Sequence, residues 1–267
     1  MKRRTSSRLR STVPPAAIAL LAAFAFVFAR PSYLRADETP PPPEPAAAAA
    51  AESALARARE LITERRYGEA RHLLDPLRRE FPDHPAPYLL LGTTYYEEKR
   101  WESAMRNFRR LLELRPTYHK AHLLNGWCLY YLGDLAASRA AAERYLEQVP
   151  GSGDARLVLG LIALDEDRLD EARRQLTRAL ASPDVEERPA REALIRARLA
   201  DLHLRAGELE QAKLELWRAL RLEPGNEKFY FKLSRVLQRL GDGEGADLAR
   251  RNDPGVLARI APEPTRP

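Results

Sequence analysis

Between residues 85 and 118 the apolar residues fall on two stripes, each with the period of a helix. Tyr88, Leu91 and Tyr95 stand at i, i+3 and i+7, and Ala104, Phe108 and Leu111, at i, i+4 and i+7, mark a second helical stripe after a break at Lys99-Arg100. The pattern predicts two short antiparallel helices joined by a tight turn. Gly92 and Ala104 are small where the helices would touch, and Pro116 ends the second one. A single hairpin of this kind leaves an apolar face wet, and copies stacked side by side cover it.

The same pattern recurs at a period of 34 residues, which gives a series at 51–84, 85–118, 119–152, 153–186 and 193–226, with a partial copy at 227–252. In the second copy, Tyr88, Leu91-Gly92, Tyr95, Ala104, Phe108 and Pro116 keep the order and spacing of a tetratricopeptide repeat, with Tyr where that pattern has Trp. The chain therefore resembles tetratricopeptide repeat proteins. The resemblance implies an all-α fold, a right-handed α-solenoid of antiparallel helix pairs covering 52–252. The copies are not uniform. Asn125 and Ser138 replace the usual Leu and Ala, and about six extra residues near 187–192 predict a longer loop or a helix start near Pro189. In the sixth copy Gly243 and Gly245 each cost a second helix roughly 1 kcal/mol relative to Ala, so one capping helix is expected there.

A second stripe on each first helix lies about 100° round from the core stripe. It holds Leu89, Thr93 and Tyr96, then Leu123, Trp127, Tyr130 and Tyr131, then Leu157, Leu161 and Leu164. Arrays of the resembled family commonly use this wall as a groove for a peptide or helix of a partner, so a protein or peptide partner is the expected ligand. The alternative is that these side chains pack on neighbouring repeats, on the chain's own tail, or on a second copy in a homo-oligomer. Chaperone-binding members of the family place Lys and Asn on successive turns of this wall. Leu89 with Thr93, and Leu123 with Trp127, occupy those places and argue for apolar recognition instead.

The formal net charge of +6 would suggest nucleic acid until it is located. Residues 1–36 contain seven basic residues and no acid, leaving 37 basic against 38 acidic residues in the remainder. No nucleic-acid partner is expected on that ground. The same segment has a basic start, an apolar run at 13–29 and a small residue at Ala36 suited to cleavage, with Ala29 a second choice. It reads as a signal peptide or, uncleaved, as an N-terminal anchor in the inner membrane. Either predicts an exported, periplasmic or extracytoplasmic array, with membrane contact only through the anchor. Residues 37–51 are a Pro/Ala-rich linker turning helical near Ala46, and 253–267 a Pro-rich tail expected to be mostly disordered apart from a short turn docking the last helix.

Candidate chemistry is sparse. Cys128 is the single cysteine and stands at a small-residue core position. His119 and His122 precede it, but helix phase separates them and no ligand set converges, so no metal is expected. The sequence has no GxSxG, HExxH or glycine-rich phosphate loop. Asp165, Glu166, Asp167, Asp170 and Glu171 read as solvated helix ends, and Arg191 to Arg198 as an exposed face with acidic neighbours. Neither a catalytic residue nor a cofactor is expected. The reading is a non-catalytic scaffold, with a self-associating structural array as the alternative.

Overall fold

The computed structural model describes the backbone of residues 45–262 and side chains from 49 onward. The signal or anchor segment, most of the linker and the last five residues of the tail lie outside the described residues. All the regular structure described is helical: α1 (Pro45–Thr63), α2 (Tyr67–Glu80), α3 (Pro85–Glu97), α4 (Trp101–Leu114), α5 (His119–Tyr131), α6 (Leu135–Gln148), α7 (Gly153–Asp165), α8 (Leu169–Leu180), α9 (Pro183–Glu186), α10 (Pro189–Arg205), α11 (Leu209–Leu222), α12 (Glu227–Arg239), α13 (Gly243–Arg250) and α14 (Gly255–Arg259). Each hairpin packs on the next through its second helix, as α4 does on α5 and α6 on α7. The result is an α-solenoid.

Local chemistry sets the hairpins. Six of the turns use one residue with positive φ at the same place in the register: Arg65, Lys99, Gly133, Asp167, Gly207 and Gly241, with φ between 56° and 84°. That residue stops the first helix and lets the chain reverse within two residues. Within a hairpin the axes come close because Gly92 faces Phe108; a Cβ there would lie 2.5 Å from the ring. Leu55, Ala58, Leu74, Leu77, Leu90 and Leu91 form one core at the first hairpin, and the later repeats share larger ones.

Three details refine the sequence reading. Of the two alternatives for the extra residues near 187–192, the structure has the helix start, a long α10 beginning at Pro189, and the helical turn α9 precedes them. Val185 of α9 is fully buried, and Asp184 accepts a hydrogen bond from the Gly153 N–H at 2.8 Å. The sixth repeat is a complete pair, because Asp242 caps α13 by accepting from Gly245 N and Ala246 and Ala249 are buried. In the tail the short docking turn is the helix α14, which buries Val256 and whose Leu257 O accepts from the indole of Trp217 at 3.0 Å. Apolar anchors there outweigh the turn-forming Pro and Gly.

Candidate functional site

The first helices of four consecutive pairs, α5, α7, α10 and α12, enclose an open pocket of about 770 Å³. Its floor is apolar, made by Leu161, Leu164 and Leu204, with Tyr130 at one side and Phe231 at the other. Phe231 is 63% exposed, far more than any core aromatic, and no described residue folds over it. Charged groups form the rim. Asp201 pairs with Lys232 at 2.5 Å and with Arg198 at 3.3 Å, and the Tyr130 hydroxyl donates to Asp165 at 2.8 Å. Arg205 donates to Leu164 O, joining the ends of α10 and α7. Burial, with Arg198 and Arg235 adding to it, pushes the Lys232 ammonium below its ordinary value against the pull of Asp201. Burial and the bond to Asp165 push the Tyr130 phenol upward.

The residues of the second stripe are divided by this geometry. Tyr130, Leu161 and Leu164 line the pocket. Leu89 lines a separate apolar hollow of about 300 Å³ with Pro85, Ala86, Leu111 and Tyr118. Thr93 turns its hydroxyl back to Leu89 O at 2.9 Å. Tyr96 meets Trp101 edge-on at 5.3 Å, and the half-exposed Tyr131 stacks on Trp101 at 4.3 Å. Leu123, Trp127, Leu157, Leu161 and Leu164 are each 5% exposed or less. An open apolar strip along the whole wall is therefore corrected: adjacent first helices approach closely enough to cover these side chains, and Trp127 lies under Tyr130, Tyr131 and the Arg191 guanidinium. Leu161 and Leu164 still present an edge to the pocket.

Among the described residues no group of His, Cys, Asp or Glu is arranged to hold a metal. Cys128 is buried, and burial pushes its thiol up to about 12. His122 is drawn downward by burial and by Arg144. The acidic runs are engaged by neighbouring arginines, Glu166 by Arg139 and Arg168, Glu171 by Arg174. The arginines of α10 pair with acids as well, Arg191 with Asp154 and Arg196 with Glu192 and Glu215.

The family profile described as Tetratricopeptide repeat matches residues 55–119 and 123–192, a little over half of the chain. The chain belongs to the tetratricopeptide repeat family. Among solved structures, it is similar to a chain of the APC/C hetero-tetramer Cut9–Hcn1, with TM-score 0.68 and 15% identity over 80% of this chain; the match spans only 41% of that longer relative. PilW, a type IV pilus biogenesis factor, is similar with TM-score 0.65 and 19% identity, over 81% of this chain and 96% of PilW. A thermophilic tetratricopeptide protein of Thermus thermophilus gives TM-score 0.57 and 22% identity over 70% of this chain and 99% of its own. At these identities the likeness concerns the fold. No curated protein matches the sequence.

The tetratricopeptide register also locates what the sequence reading missed. Leu89, Leu123 and Leu157 share one position of the repeat; stepping on past the six extra residues brings that position to Ala197 and then Phe231. The positions of Trp127 and Tyr130 become Asp201 and Leu204 in the fifth repeat, and that of Trp127 becomes Arg235 in the sixth. Phe231, Asp201, Leu204 and Arg235 all line the pocket. The signal was the periodicity itself, carried two repeats further.

Proposed function

We propose that this protein is an exported, non-catalytic scaffold of the cell envelope that holds a segment of a partner protein in the pocket between α5 and α12. The observation that carries the reading is Phe231, a large apolar side chain left exposed at the edge of a leucine-floored pocket. Such a surface is costly to keep wet and becomes favourable when a partner covers it. The basic start and apolar run of residues 1–36 support export. The fold leaves the task open, since it is shared by a pilus biogenesis factor and by a chain of the APC/C assembly.

The test is a photo-crosslinking amino acid placed in cells at position 227, an exposed residue on the pocket lining, with the captured species identified by mass spectrometry. One recurrent partner, lost in the Tyr130→Ala/Phe231→Ala variant, supports the reading. Capture only of a second copy of this chain, with concentration-dependent mass in light scattering, would instead establish the self-associating array. Localisation of the mature chain in the cytosol would remove export.

A further inference from the structure

Outside residues 1–36 the chain is nearly neutral, with 37 basic against 38 acidic residues, yet the pocket is not. It is lined by five basic side chains and three acidic ones. The acids are mostly committed. Asp201 is held by Lys232 and Arg198, and Asp165 accepts from Tyr130. Lys228 and Arg235 are exposed and, among the described residues, have no ion-pair partner. They stand at i−3 and i+4 from Phe231 on α12, so one helix face presents cation, aromatic ring and cation in turn. Like charges gathered this way repel one another, and the downward push on Lys232 from Arg198 and Arg235 is a sign of it.

Building on the partner-binding reading above, we propose that the occupant of this pocket is an acidic segment of a protein. One apolar side chain lies between Leu204 and Phe231, and carboxylates on either side of it pair with Lys228 and Arg235. No existing ion pair has to break for those contacts to form, so the charges contribute attraction and orientation without the desolvation of a committed pair. A run of nucleic-acid phosphates suits the surface less well, because the two cations without an ion-pair partner among the described residues, Lys228 and Arg235, are separated by Phe231 and form no continuous basic track.

Fluorescence anisotropy of the purified full chain with three labelled synthetic peptides tests this. The first peptide has one Phe flanked on both sides by Asp and Glu, the second replaces the acids by Lys, and the third replaces Phe by Ala. The acidic Phe peptide is expected to bind at least about tenfold more tightly than the other two, with affinity falling as salt rises. The Lys228→Glu/Arg235→Glu variant, whose changes are on exposed positions, should keep its circular dichroism and shift the preference toward the Lys peptide. Equal binding of the acidic and basic peptides, no measurable binding of any peptide, or tighter binding of a single-stranded oligonucleotide would each overturn the proposal. A partner crosslinked from position 227 whose capture is indifferent to salt and to that double variant would sink the acidic chemistry while leaving the scaffold reading in place.

Discussion

The residue that ends the first helix of each hairpin carries more of the fold than its variety suggests. Six turns place it in left-handed conformation, but only three of the six, Gly133, Gly207 and Gly241, are glycine. A side chain in that region costs about 1–2 kcal/mol. Nothing lies within 4 Å of a Cβ built on any of those three glycines, so the cost of replacing one is conformational rather than steric. Gly207→Ala should therefore destabilise by about 1 kcal/mol, and Lys99→Gly should stabilise by up to about 1 kcal/mol, both read from urea midpoints. The opposite sign for either would mean that the turns are held by contacts and not by backbone preference. Cys128 gives a second test at this scale. With its thiol pushed up to about 12 by burial, the thiolate is scarce at pH 8 and the sulfur is sealed from reagent. Alkylation by iodoacetamide should be far slower in the native chain than in urea; equal rates would show that the site opens readily.

At the scale of the element, the end of the solenoid shows how a local rule was overridden. Gly243 and Gly245 are poor helix formers, and on propensity α13 should fray. A local cap and a tertiary ion pair decide otherwise: Asp242 caps the helix through Gly245 N and also binds Arg259 of α14, with the closest contact at 2.8 Å. Propensity could be read from the sequence, but an ion pair to an arginine 17 residues away could not. Arg259 and the Gly245 N–H hold the Asp242 carboxyl below its ordinary value of 3.8. Because the folded pKa is depressed, the stabilisation is present at neutral pH and is lost as pH falls from the unfolded value through the folded one. Asp242→Asn should thus lower Tm at pH 7, remove some of the loss of Tm between pH 5 and pH 3, and increase amide exchange in α13 and α14. An unchanged acid profile would place the acid-labile contacts elsewhere.

At the scale of the whole molecule, repetition made the fold legible and concealed the site. A period of 34 residues fixes which helices are neighbours, because every hairpin must cover its apolar face with the next one. It does not fix how closely the first helices approach, and that distance determines whether a side chain on the shared wall is lining or filling. Trp127 and Phe231 show the two outcomes: Trp127 is 5% exposed within the core formed by α5 and α7, and Phe231 is 63% exposed because no further repeat of the described chain covers α12. Their replacement by alanine should separate stability from binding. Trp127→Ala removes a buried ring and leaves a cavity, a change that costs about 3–5 kcal/mol in comparable cores, so Tm should fall sharply. Any loss of partner capture by this variant should follow its loss of structure. Phe231→Ala removes mostly solvated surface, so Tm should hold while crosslinked partner falls. Should Phe231→Ala unfold the chain, or Trp127→Ala abolish capture at full stability, the contact surface would have to be moved from the pocket on α12 to the aromatic cluster around Trp101 and Tyr131.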